Sequence, residues 1–532
     1  MAKNRIRRGN RVYVYERENY RDEFGKVKHR NTQYLGVEET VDGKTVITPP
    51  KRRRKDFQVI KSVRYGDIAV LYTILEEHGI ITLLDELIPR RGLPVGDVFA
   101  SLAINHIIDR KSLNKFSKWY DDTALAHFTK ILGNKLNSTN LGAVMDALKI
   151  GPEGIVDVCI GLFKEISHLE TELNTLFYDI TSTYFYGTTL PKVRRGYSRD
   201  ENNLPQINIA LAVTQNKGFP LFFRTYEGNI PDVKTITQLV HDVKRVGLRA
   251  GVIILDRGMI STGNLRCLAE SGLKVICGVP LTSNEAKGLV MQKISEENEL
   301  IRPSGLLHYE DVPTTLFGIP GRAIVCFNHA DLEKERTTRL KKTLIAEKKI
   351  EELLASKDRD LNGLKQEIKT AIYGVSKYFI VSQEDDKITV IPHIKNRREA
   401  KLRDGKYLIF TTDSEKSADK IISQYFGKDI IEKIFDCFKN WLDMHPVRHF
   451  DDGRVDVYVF VCFLAYLALT LYKDRLDSHG WGGVKTGLDE LGRIRKTTLD
   501  FGGERIDKIT VLTKEQEEII ARLGLKELFE KL

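Results

Sequence analysis

Leu176 to Gly187 reads LFYDITSTYFYG. Its β-branched and aromatic residues are those that favour a strand, and one acid, Asp179, stands among them. A carboxylate in an apolar strand costs several kcal/mol unless a proton, a hydrogen bond or a cation compensates it. Downstream, QINIALAVT (206–214) and FPLFFRTYE (219–227) read as strands joined by a tight turn at Asn216-Lys-Gly218. VKTITQLVHDVKRV (233–246) has helical spacing, and GVIILD (251–256) is a short apolar strand ending in a second acid, Asp256. Gly258 lets the chain turn sharply there. GNLRCLAESG (263–272) is helical and LKVICGV (273–279) is another strand. Three antiparallel strands, a helix, a strand, a helix and a strand predict a mixed α/β layer fold. In such sheets ligands gather at strand ends.

A third acid lies far downstream, in YFGKDIIEKIFDCFK (425–439). As one α-helix, this segment would place Tyr425, Lys428, Glu432 and Lys439 on one stripe, because steps of three, four and seven return to the same face. Ile430, Ile431, Ile434, Phe435, Phe438 and Leu442 would form the apolar face beside it, with Gly427 a possible interruption. An acid at a strand end is most often a turn or cap residue, and a charged helix edge is most often solvated. Three acids from three elements in a chain with a basic arm suggest more: a cradle for divalent metal.

The arm is the first 65 residues, with 18 Lys/Arg against 8 Asp/Glu, which accounts for the whole net charge of +10. Such a segment predicts a polyanion partner. Alternating stretches such as Arg11 to Tyr15 make it β-rich. The run Lys51, Arg52, Arg53, Arg54, Lys55 is a solvated linker or a phosphate-tracking arm. Residues 65–165 have helical periodicity, as in IAVLYTILEEHGIITLLDELI (68–88). Lys192, Arg194, Arg195 and Arg199 surround Gly196 and form either a solvated loop or a flap against phosphate. Arg448 and His449 line a channel or an ordinary loop. The six cysteines form no CxxC pair and read as reduced core residues. The apolar run Val457 to Tyr472 is 16 residues long, short of the roughly 20 that span a membrane. It is expected as a buried helix.

The pattern resembles the DDE transposases of prokaryotic insertion sequences, and more narrowly the insertion-sequence-four superfamily with its signature Y-x2-R-x3-E-x6-K. Tyr425, Lys428, Glu432 and Lys439 match its spacing, with Lys428 standing where Arg is usual. YDITSTYFYG, GYSRDENNLPQ (196–206), YEGNIPD (226–232), LDRG and HPVRHF also resemble that family over about 170–475. The basic N-terminal module and long charged insert suggest the branch named for insertion sequence sixteen-thirty-four.

The resemblance implies an RNase H-like mixed-sheet core with an α+β insertion, behind a small β-rich module and a helical domain. The expected divisions are a basic module (1–64), a helical DNA-binding or bridging domain (65–165), the first part of the core (170–280), an insertion (281–415), the second part of the core (416–475) and a C-terminal region suited to dimerisation (476–532). It also implies that Asp179, Asp256 and Glu432 are catalytic and bind two Mg²⁺ ions, with Mn²⁺ able to substitute. Tyr425, Lys428 and Lys439 would contact DNA, and Arg194, Arg195 and Lys51 to Arg54 add basic contacts. The implied reaction is cleavage at transposon ends and strand transfer into target DNA by a homodimer, in a cytoplasmic, nucleoid-associated setting with no membrane. A nuclease without strand transfer and a domesticated, non-catalytic DNA-binding protein are the alternatives.

Overall fold

The computed structural model describes the chain apart from residues 1, 10, 23, 42–43, 50–56, 171–172, 188, 198–203, 249–250, 282, 293, 295–296, 303–304, 356–359, 385–386, 443, 445–446, 448–450, 478–480 and 531–532, and the side chains of 2, 29, 31, 39–41, 44 and 481. Lys51 to Lys55, Arg199, Arg448 and His449 therefore lie outside the described residues. The chain forms two compact units: Met1–Ser62 with Thr497–Lys508, and Val63–Lys496 with Ile509–Leu532.

In the smaller unit, β1 (Ala2–Arg8), β2 (Arg11–Arg21), β3 (Val27–Val41) and β4 (Lys44–Thr48) form an antiparallel sheet in sequence order. It is a single layer: among the described residues of these strands only Val14 and Gly36 are buried. β5 (Gln58–Arg64) belongs to a second sheet whose other two strands come from the C-terminal end of the chain.

The larger unit begins with helices, among them Gly66–Glu77, Val95–Ile108 and Gly151–Ile166. It continues as a mixed α/β layer. Its strands are β6 (Thr175–Tyr184), β7 (Gln206–Thr214), β8 (Pro220–Glu227), β9 (Val252–Leu255), β10 (Lys274–Gly278), β11 (Glu299–Arg302), β12 (Gly305–Leu316) and β13 (Ile319–Asn328). A hairpin of β14 (Phe379–Glu384) and β15 (Lys387–Pro392) stands apart, and β16 (Lys406–Thr411) returns to the sheet. The nine-stranded order is β11-β12-β13-β16-β10-β9-β6-β7-β8. β6, β7 and β8 pair antiparallel, whereas β9 runs parallel to both β6 and β10. All nine residues of β7 are buried, as in a strand covered on both faces, and its polar Gln206 and Asn208 side chains are hydrogen-bonded to the Tyr197 and Ile230 carbonyls.

Behind β8 lies the helix Asp452–Leu476, which also packs against Val95–Ile108. It is the one described helix long and apolar enough to cross a membrane, and its apolar window is wholly buried inside the protein. The expected buried helix is thus longer than the run that announced it, because it is capped at Asp451 and ends beyond the apolar stretch.

Residues 281–415, expected as an insertion, divide in two. β12, β13 and β16 extend the main sheet, with Arg322–Phe327 of β13 paired to β16 and β16 paired to β10. The helices His329–Ala355, Leu361–Ala371 and Ile394–Arg403 and the β14–β15 hairpin stand apart. They share a small core around Ala346, Ile350, Tyr378 and Phe379.

Near the C-terminus, β17 (Arg495–Asp500) and β18 (Arg505–Ile509) complete the three-stranded sheet in the order β18-β17-β5. The Ser62 and Thr497 hydroxyls meet at 3.1 Å. The helix Lys514–Leu523 starts with a capping box of Thr513 and Gln516.

Candidate active site

Asp179 and Asp256 stand side by side. Parallel β6 and β9 pair Tyr178 with Leu255, so the next residue on each strand is the acid. Neighbouring strands lie about 4.8 Å apart and residues in register share a face. The two carboxylates are therefore placed at one level on one side of the sheet. Asp179 is half-buried, and its Oδ1 accepts the Ile180 N–H at 2.8 Å.

The third acid arrives on a broken helix. The expected single helix over 425–439 is instead an α-helix Ala418–Phe426, an interruption at Gly427, a second α-helix Asp429–Asp436 and a π turn Cys437–Trp441. Gln424 anchors the first segment, donating to Gln215 Oε1 at 2.9 Å and Thr175 Oγ1 at 3.3 Å. The second segment buries Ile431, Ile434 and Phe435 and packs on β6. Asp429 and Glu432 occupy its first turn, where the helix dipole favours negative charge. The π turn is a local widening of a kind frequent at functional sites.

A cleft of about 940 Å³ is lined by Asp179, Asp256, Glu432 and Lys439. Tyr184, Tyr197, Asp232 and Asp436 line it as well, and sequence reasoning had given none of these a role. Asp232, the last residue of YEGNIPD, lies beside Gly258; proximity to the loop after Asp256 is a tertiary fact with no local signal.

Lys428 does not sit open to solvent. Its Nζ donates to Asp256 Oδ1 at 2.8 Å and lies 5.1 Å from the centre of the Tyr425 ring. Burial works to raise the Asp256 pKa, but the Lys428 hydrogen bond and charge, with help from Arg257, outweigh it and hold the carboxyl below its usual range. Burial likewise opposes the Lys428 charge, yet Tyr425, Asp256 and Glu432 together push its pKa up. Tyr425 is 8% exposed. It fits because position 278 is glycine: a Cβ there would collide with the Tyr425 hydroxyl. Tyr425 thus stands beside the Lys428 ammonium with its ring largely buried.

The flap behaves unevenly. Lys192 is bonded to Asp456 Oδ2 at 2.6 Å and to Thr225 Oγ1 at 3.1 Å, so it braces the long apolar helix to β8. Arg194 and Arg195 are exposed; the Arg194 guanidinium touches the Val193 carbonyl at 3.2 Å.

A second acidic group was not anticipated. Glu153, His241 and Asp242 bring ligand atoms within 4.8 Å of one another. Two guanidiniums already fill that space. Arg224 bonds Asp242 Oδ1 and Glu153 Oε2, each at 2.7 Å, and Arg245 reaches Glu153 Oε2 at 2.7 Å. A metal would have to displace both cations, so this group is an ion-pair clamp between β8 and two helices. The cleft, by contrast, is lined by three carboxylates from three elements, with Lys428 bonded to one of them and Arg257 and Lys439 on its wall. That donor set is all oxygen, which suits Mg²⁺ or Mn²⁺.

A family model described as "Transposase DDE domain" matches residues 172–468. No curated protein matches the chain. Among solved structures, the chain is similar to the piggyBac transposase in a cryo-EM synaptic complex with hairpin DNA, at 10% identity and a TM-score of 0.37, over 80% of this chain and 79% of that one. A likeness that distant says nothing of individual residues.

Proposed function

We propose that this chain, which belongs to the transposase DDE domain family, cuts DNA at the ends of a mobile element and joins the freed 3′-hydroxyl to target DNA. The observation that carries this reading is the meeting of Asp179, Asp256 and Glu432 on one cleft. The order β8-β7-β6-β9-β10, antiparallel then parallel, supports an RNase H-like core. The spacing of Tyr425, Lys428, Glu432 and Lys439 supports the insertion-sequence-four superfamily, and the basic module with a charged insert supports its sixteen-thirty-four branch.

Asp179, Asp256 and Glu432 would hold two Mg²⁺ or Mn²⁺ ions, which supply Lewis acidity and an activated attacking oxygen when bound. The protein's own residues do the rest. The paired strands fix the two aspartates against each other, so that little reorganisation is left for the reaction. Glu432 approaches from the helix that closes the cleft. Lys428 and Lys439 hold phosphate near the scissile bond, Lys428 as a point charge rather than a two-pronged grip. Tyr425 keeps the Lys428 stem upright. Arg194 and Arg195 would add basic contacts to the DNA strand. Two ends must be brought together, so the acting species is a homodimer, and 476–532 is the region offered for its interface. The substrate implies a cytoplasmic, nucleoid-associated site of action.

The test is a gel assay on a duplex carrying the inverted repeat that flanks the reading frame, with Mg²⁺ and a target plasmid. Nicked ends and joined products are expected. Nicked ends without joined products would make the protein a nuclease. Cleavage that survives loss of each of the three acids would remove the site assignment.

A further inference from the structure

The hydrogen-bond register of β1 and β2 sorts their side chains into two faces, because directly opposed residues share a face and successive residues alternate. On one face acids stand among the bases: Arg5 bonds Glu38 at 2.5 Å and Lys3 stands opposite Glu16, while Arg7 stands opposite Val12. The other face carries Ile6, Arg8, Arg11, Tyr13, Tyr15 and Arg17, and neither strand places an acid on it. Tyr34 of β3 stands opposite Tyr15 and joins them. The rings touch, with Tyr15 and Tyr34 centred 5.0 Å apart and Tyr13 and Tyr34 6.1 Å apart. The Arg17 guanidinium lies 5.1 Å over the Tyr15 ring.

Two features of this face call for a partner. Arg8 and Arg11 are exposed and directly opposed, an arrangement in which like charges repel. The sheet has no second layer of its own: the described residues of its unit form strands and turns with no helix. Each lack is met by the same chemistry, an anion with several oxygen acceptors spread along a surface. Residues 1–62, with 17 Lys/Arg against 8 Asp/Glu, carry the charge to attract it.

We propose that this tyrosine–arginine face is a docking surface for duplex DNA. Arg8 and Arg11 straddle a phosphate, Arg17 takes another, and the three tyrosines hold the guanidiniums flat against the sugar edge. Phosphate contacts of this kind set the position of the protein on the duplex. The inference rests on the family's substrate being DNA and not on the acidic cleft.

The test measures binding alone. The full-length chain is titrated in EDTA against a fluorescein-labelled duplex of mixed sequence, followed by anisotropy over a range of salt. Arg8→Glu with Arg11→Glu is compared with Lys3→Glu with Arg7→Glu, which makes the same charge change on the opposite face. The first pair should weaken binding by about tenfold or more and lower the slope of log affinity against log salt by about two. The second pair should leave the slope nearly unchanged. Equal losses from both pairs would overturn the proposal in favour of diffuse charge. So would a single strand of the same sequence competing as well as the duplex. Arg8→Gln with Arg11→Gln removes the mutual repulsion and cannot unfold the sheet by adding charge. If that variant binds as the wild type does, the face is not the docking surface. Cleavage activity plays no part, so a wrong assignment of the cleft would leave this result standing.

Discussion

Two groups of acids in the larger unit look alike on paper and differ in what surrounds them. Glu153, Asp242 and His241 crowd within 4.8 Å, yet Arg224 and Arg245 bond into the same carboxylates. Asp179, Asp256 and Glu432 line a cleft of about 940 Å³ together with Asp232 and Asp436, against Arg257 and Lys439 on its wall and Lys428 bonded to Asp256. Close spacing of acids is therefore a poor guide to metal. Charge balance is the better one: a clamp has its counter-ions built in, whereas a working site keeps a deficit that substrate and cofactor must fill.

The widest gap between the two groups should appear in catalysis. Asp179→Ala, Asp256→Ala and Glu432→Ala should each cut the rate of end cleavage by roughly a thousandfold or more, since several kcal/mol of charge stabilisation is lost. Glu153→Gln should leave the rate nearly unchanged in the same assay. The clamp should dominate stability instead. Asp242 is fully buried against Arg224, and removing one partner of such a pair costs about 3–5 kcal/mol. Urea denaturation of Asp242→Ala should show that loss. The cleft alanine variants should show far less.

Metal binding sharpens the contrast further. Mn²⁺ should raise the melting temperature of the wild type in proportion to occupancy, by mass action. Asp179→Asn with Asp256→Asn should abolish that rise, and Glu153→Gln with His241→Ala should retain it. The reverse pattern would move the metal centre to the clamp. Lys428→Met removes the ammonium beside Asp256, so half-saturation by Mn²⁺ should come at lower concentration while affinity for element-end duplex falls. The smallest effect is one of pH. The hydrogen bond from Arg224 holds the Glu153 carboxyl below its ordinary pKa. A depressed carboxylate contributes stability above its unfolded value, and that contribution is lost as pH falls through the folded value. Glu153→Gln should therefore flatten the acid side of the melting curve slightly, since the side chain is 57% exposed and solvent screens it.

Much of the cleft was legible because its signals are local. An acid inside LFYDITSTYFYG and another closing GVIILD announce themselves within a dozen residues, and the Tyr425 to Lys439 spacing is a helical one. What escaped was set by partners distant in the chain. Gly427 marks the break in that helix within the sequence itself, but the π turn at Cys437–Trp441 leaves no mark on an apolar period. Lys192 reads as a flap cation until Asp456, 264 residues away, is placed beside it. Arg224 and Asp242 read as a strand residue and a helix residue. The continuation of the main sheet through β13 and β16 depends on which backbone edges meet, and hydrophobic patterning does not specify that.

The pairing of β5 with β17 has a consequence for folding. Ser62 meets Thr497 across 435 residues, so this small sheet closes a loop made of most of the larger unit, and the entropy of closing it falls as that unit becomes compact. The sheet should therefore form late, and hydrogen exchange during refolding should find its amides protected after those of the main sheet.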